Sequence, residues 1–189
     1  MSNSHLPPVL SEHVFHVHSS VLIDAPREKV WDILMDFSSY EKWHCYIFLS
    51  ITLICPCRRH MTVTDRKAVP LEDQTIAEGK SIQVVANMEP SLSEPSYANR
   101  GNAFVVVSHF EPENYRVAWK SDMYPSFLLA TERWQILTVD EVTGKTKYEN
   151  FEVFDGILAY FVKFFVGAKL AKGFVAAGES LKAHAEEMK

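Results

Sequence analysis

Between residues 157 and 181, apolar and small side chains recur at steps of three and four: Ile157, Tyr160, Phe164, Gly167, Ala171, Phe174, Gly178 and Leu181. That spacing places them on one stripe of a single helix of about eight turns. A helix this long needs a broad apolar surface to bury its stripe, and the strand-like segments before it can supply a curved antiparallel sheet. The stripe mixes large aromatics with Gly167, Ala171 and Gly178. Large residues seat a helix on a sheet; small ones either let the sheet approach or leave volume for something else. Leu158, Phe161, Val162, Phe165 and Val166 fall off the stripe. One sheet cannot bury them too, so they call for a second neighbour: a short helix, a loop, a partner chain or the mouth of a ligand site.

The upstream chain reads as strands and two short helices. Residues 1–12, with Pro7 and Pro8, form a loose N-terminal arm. Residues 14–23 alternate, with Phe15, Val17, Ser19, Val21 and Ile23 on one face. Asp24 and Ala25 then stop the strand, and Pro26 fits the first turn of a helix with Asp24 or Ala25 as its cap. Val30, Ile33, Leu34 and Phe37 follow at helical spacing, and the chain restarts through Tyr40 to Trp43. Beyond Gly79 the period becomes two. Ile82, Val84, Ala86 and Met88 share a face, residues 88–102 form a loop, and residues 104–110 form a strand. Tyr115, Val117 and Trp119 alternate with Arg116, Ala118 and Lys120, the cleanest half-buried strand in the chain. Residues 127–139 and 145–154 complete the set, joined by a turn at 140–144. There is no internal repeat and no interdomain linker, so residues 13–189 are read as one domain.

Several function classes lose support at this stage. The formal net charge of −5 gives no electrostatic case for nucleic acid. The first residues lack a basic segment followed by an apolar one, and the apolar run 157–166 is about half a bilayer span and carries Lys163. Cys45, Cys55 and Cys57 are an odd, clustered set, unlike a disulfide framework. These features predict a cytoplasmic protein. His44, Cys45, Cys55, Cys57 and His60 do not match the usual zinc spacing, and His13, His16 and His18 read as solvated histidines. No metal and no cofactor is expected. No phosphate loop, nucleophile elbow or Cys-x-x-Cys motif occurs.

The order of elements, and two blocks of sequence, resemble the START-like superfamily, also called Bet v 1-like or the polyketide cyclase/dehydrase group (SRPBCC). The first block runs Ser20-Val21-Leu22-Ile23-Asp24-Ala25-Pro26-Arg27-Glu28-Lys29-Val30-Trp31-Asp32 and continues at Asp36-Phe37-Ser38-Ser39-Tyr40-Glu41-Lys42-Trp43. The second runs through residues 146–154 and 156–181. The resemblance implies an α+β helix-grip fold, in which a seven-stranded curved antiparallel sheet surrounds the long C-terminal helix, with two short helices after the first strand. It also implies an apolar cavity for a lipid, sterol, polyketide, quinone or hormone. One departure is the apolar, cysteine-bearing stretch 45–60 after Trp43-His44, where relatives pass directly into the next strand. Much of it reads as an insertion, of the kind a retained intron would encode; if it is genuine, residues 46–54 make an ordinary strand.

Function is expected to be non-covalent binding of a hydrophobic small molecule between sheet and helix. The candidate ligand residues are Tyr115, Trp119, Trp134, Tyr148, Asn150, Tyr160, Phe161, Phe164 and Phe174, whose rings and polar tips suit a ring-bearing ligand. The rival is a cyclase/dehydratase-type enzyme. Glu132 and Glu152, if both pointed into an apolar cavity, would have raised pKa values and could exchange protons with a substrate. They could equally stand in water or pair with Arg133, Arg116 or Lys120. A third alternative is a lipid or quinone chaperone that touches membranes transiently through residues 158–166. The sequence leaves the oligomeric state open.

Overall fold

The computed structural model describes residues 6–40, 60–87 and 100–187. Much of the stretch 45–60 therefore lies outside the described residues. His60 is inside them and opens a strand.

Seven strands form one antiparallel sheet: β1 (Phe15–Ile23), β2 (His60–Thr64), β3 (Ser81–Asn87), β4 (Arg100–Glu111), β5 (Arg116–Ser121), β6 (Ala130–Val139) and β7 (Thr146–Asp155). Their spatial order is β1-β7-β6-β5-β4-β3-β2, so the first strand closes on the last. Helix α1 (Arg27–Met35) follows β1, with a 3-10 turn at Phe37–Ser39. The chain ends in one continuous helix with three parts: α2 (Ile157–Phe161), a π-helical turn (Val162–Val166) and α3 (Gly167–Glu187). The expected α+β helix-grip architecture is what the chain adopts.

Three boundaries moved, and one is that β4 begins at Arg100, inside the stretch 88–102 expected to be a loop. Pro26 occupies the cap position and α1 begins at Arg27, with the Val30 amide donating to the Pro26 carbonyl. Residues 127–129, expected to begin a strand, form a turn instead, and β6 starts at Ala130. The turn has a purpose: the Phe127 and Leu128 carbonyls accept from the Ile157 and Leu158 amides, which are among the free N–H groups at the helix start.

The sheet is apolar on both faces. On its inner face Ile23, Ile82, Val107, Val117, Trp119, Leu137 and Tyr148 pack with α1 residues Val30, Trp31 and Leu34 and with Leu181 of α3. A second inner group, Val17, Phe154, Ala159 and Phe174, lies beneath the start of the helix. On the outer face Ala118, Trp134, Phe151 and Val153 form a third cluster, against which Leu10 packs from the N-terminal segment read as a loose arm.

The helix seats on β1. An ideal Cβ built on Gly167 would lie 2.8 Å from Cζ of Phe15, and one on Gly178 would lie 3.3 Å from Cγ1 of Val21. Both glycines therefore serve close approach to β1, and the choice that the sequence left open is decided at these positions. Ala171, placed on the same stripe, is exposed.

Upstream of Gly167 the buried side of the helix leaves the expected stripe. Ala159 is buried and Val162 packs against the core, whereas Ile157, Tyr160 and Phe164 are exposed. The π-helical turn is the cause. It takes one more residue per turn than an α-helix, so everything before it rotates relative to α3.

Candidate functional site

Alternation along β6 and β7 brings a small polar group to the inner face, between the two apolar clusters. Arg133 pairs in register with Glu152, Gln135 with Asn150, and Leu137 with Tyr148. Phe174 of α3 closes over this group: the Arg133 guanidinium carbon lies 4.3 Å above its ring. Arg133 Nε donates to Asn150 Oδ1 at 2.9 Å, and the Tyr148 hydroxyl donates to Gln135 Oε1 at 2.5 Å. On β1, Ser19 donates through Oγ to the Phe174 carbonyl at 3.1 Å, which ties strand to helix beside the group.

Asn150 is the unusual member. It is 0% exposed, and its Nδ2 donor has no partner among the described residues. The bond from Arg133 identifies the oxygen of this amide, because a guanidinium can only donate. A buried donor left unmade costs about 1–3 kcal/mol. A group that is expensive to leave unsatisfied, on the sheet face that also carries Trp119 and Tyr148 and that Phe174 covers, has the composition of a ligand site: apolar residues with a few polar atoms.

Four of the expected ligand residues belong here: Trp119, Tyr148, Asn150 and Phe174 all lie on the inner side. The others do not. Trp134 is fully buried on the opposite face, stacked on His109 with ring centroids 5.1 Å apart. Tyr115 adopts a left-handed backbone (φ 52°) and is taken up by α1: Arg27 lies 4.0 Å over its ring, Trp31 meets it edge-on, and its hydroxyl donates to Glu28. That bond, together with the backbone bond at Glu28 that outweighs it, holds the Glu28 carboxyl below the usual range. Tyr160, Phe161 and Phe164 are exposed because of the π-helical rotation.

The carboxylate pair does not form. Glu132 shares the face of Trp134, and its Oε1 accepts from Ser108 Oγ at 2.6 Å, with His109 Nε2 at 3.9 Å. Glu152 lies on the inner face opposite Arg133. The sheet itself separates the two groups, so they cannot act on one substrate as acid and base. Sequence reasoning did not name Arg133 or Gln135 as ligand residues, although both share the inner face of β6 with Leu137.

Among the described residues no set of three His, Cys, Asp or Glu side chains could hold a metal ion. His13 Nδ1 lies 2.6 Å from Asp155, and His18 Nε2 lies 3.5 Å from Glu149. No described helix is long and apolar enough to cross a membrane.

No family model matches the chain. It is 27% identical to the oxopyrrolidines biosynthesis cluster protein O of Penicillium oxalicum, across 79% of this chain and 75% of that protein. Among solved structures it resembles the Zhui aromatase/cyclase from Streptomyces sp. R1128, with a TM-score of 0.63 and 12% identity over 92% of this chain and 94% of that one. It also resembles the major latex-like protein 151 of Panax ginseng, with a TM-score of 0.61 and 7% identity over 90% of this chain and 97% of that one. At such identities the likeness is one of fold, and the fold is the START-like, Bet v 1-like helix-grip.

Proposed function

We propose that the chain binds a hydrophobic small molecule on the inner face of β5, β6 and β7, beside Phe174. The observation that carries this reading is Asn150, an amide donor wholly out of water with no acceptor among the described residues, on the face that carries Trp119 and Tyr148. A buried donor of this kind calls for a partner, and an oxygen of a bound ligand would supply one. Burial of apolar ligand surface would supply affinity at about 25 cal/mol per Å², with the polar atoms fixing orientation. The similarity to a protein named for a biosynthesis cluster, and the fold shared with an aromatase/cyclase, support a ligand of the polyketide kind. A cyclase that relies on Glu132 and Glu152 together is not supported, since they lie on opposite faces.

The test is native mass spectrometry of protein purified from its own source, with titration of the neutral fluorophore N-phenyl-1-naphthylamine. A co-purifying small molecule and saturable fluorescence are expected. Absence of both overturns the reading.

A second reading, membrane contact during delivery of that ligand, is favoured by one observation. Phe164 and Phe165 are 77% and 70% exposed, beside exposed Ile157, Tyr160 and Phe161.

A further inference from the structure

We infer that the ligand carries an anionic oxygen, a carboxylate or an enolate, which Arg133 and Asn150 receive together. This rests on the reading of the inner face as a ligand site and adds the chemical class of what enters.

Asn150 Nδ2 is a buried donor with no partner among the described residues, and it is the other arm of the amide whose oxygen holds Arg133. The single bond Nε–H to Asn150 Oδ1 and the stacking on Phe174 fix the guanidinium plane. Among the described residues the remaining guanidinium N–H groups make no hydrogen bond and Arg133 makes no ion pair. Arg133 is half-buried, so its positive charge is only partly in water. Two kinds of donor, one charged and one neutral, thus stand on the inner face without an acceptor among the described residues. A neutral ketone would satisfy Asn150 alone. An anionic oxygen satisfies both and compensates the charge, in the fork geometry for which arginine suits carboxylates. Glu152 stands opposite Arg133 in register and has its own interaction.

The experiment compares two probes of one shape, 9-anthracenecarboxylic acid and 9-anthracenemethanol, by fluorescence titration against the full chain at neutral pH. The acid is expected to bind about tenfold more tightly or better, which is the usual yield of a charge-assisted bond made out of water. Arg133→Gln should shrink the preference for the acid to about twofold or less, whatever it does to the absolute affinity for the alcohol. Arg133→Lys keeps the charge without the fork and should fall between the two; it also serves if the Gln variant fails to melt cooperatively. Equal affinity of the wild type for both probes, or equal loss of both in the variant, overturns the anionic ligand. So does failure of the acid where N-phenyl-1-naphthylamine binds. If the naphthylamine fails as well, the fault lies with the ligand site itself.

Discussion

A side chain added at Gly167 would place its Cβ 2.8 Å from Cζ of Phe15, so the first turn of α3 and the first residue of β1 compete for one volume. Phe15 is itself held, with its ring centroid 5.3 Å from that of Phe154. Alanine is the better helix former by about 1 kcal/mol, while overpacking costs about 1–3 kcal/mol. Gly167→Ala is therefore expected to destabilise the chain by about 1 kcal/mol. In a Phe15→Leu background, where the Cζ end of the ring is gone, the same change should become neutral or stabilising. Urea melts of the four proteins check this, and additivity of the two changes would show that the contact is not felt.

Gly156 is the stricter position. Its φ is +93°, and an ideal Cβ would stand 2.7 Å from the Leu128 backbone oxygen, which cannot swing away as a ring can. The same carbonyl accepts from the Leu158 amide and so helps hold the helix start. Gly156→Ala should cost about 2–3 kcal/mol or more, from backbone strain and from displacement of the turn at 127–129. Gly144, with φ +69° and nothing within 4 Å of its ideal Cβ, is the control: Gly144→Asn should cost well under about 1 kcal/mol. Thermal melts that place both variants together would refute the distinction.

Much of this architecture was readable in the chain. The faces of β1, β5 and β7, the break at Pro26 and the terminal helix follow from alternation and from helical spacing. β6 did not, for a physical reason. Period-two alternation reveals a face only when the other face is wet. On β6 the outer positions carry fully buried Trp134, roofed by Leu10, while the inner ones carry Arg133 and Gln135. Polarity is thus inverted relative to depth, and the more apolar set looked like the inside. The helix failed differently: three- and four-residue steps assume a constant pitch, and the π-helical turn at Val162–Val166 breaks it. The run Phe161, Val162, Phe164, Phe165 and Val166, apolar all around, was the one available sign that no single face would fit.

Acid sensitivity should be traceable to carboxylates at the end of β4 and at the end of α1. Glu111 Oε2 accepts from Arg116, with Nη2 at 2.6 Å, and from Asn114, and the Arg116 bond is the main reason that its carboxyl sits below the usual range. Asp36 is likewise lowered, first by the Ser38 hydroxyl. A carboxyl whose pKa is lower folded than unfolded stabilises the fold above its unfolded value and stops doing so as pH falls through the folded one. Wild type should therefore exceed Glu111→Gln in stability at neutral pH, and the gap should close as pH drops from about 5 to about 3. Urea midpoints measured at intervals across that range decide it; a gap that stays constant would mean that the bonds to Glu111 do not couple to its ionisation.

The exposed aromatics before α3 make a final, separable case. The rings of Phe161 and Phe165 contact each other, with centroids 4.5 Å apart, and Phe164 stands beside them. None of the three is buried against the sheet, so replacing them removes little packing. Phe164→Ser combined with Phe165→Ser should shift stability by no more than about 0.5 kcal/mol per site. Yet these residues are the apolar surface through which the chain would enter a bilayer interface, where phenylalanine and its neighbour Lys163 suit the acyl and headgroup levels respectively. Sedimentation with liposomes, with and without anionic lipid, should retain the wild type and release the double variant, while binding of N-phenyl-1-naphthylamine stays unchanged. If the wild type stays in the supernatant with both liposome types, delivery at membranes is excluded and the ligand site stands alone. If the double variant loses the fluorophore as well, these rings belong to the ligand site, and the rotation caused by the π-helical turn is not fixed in solution.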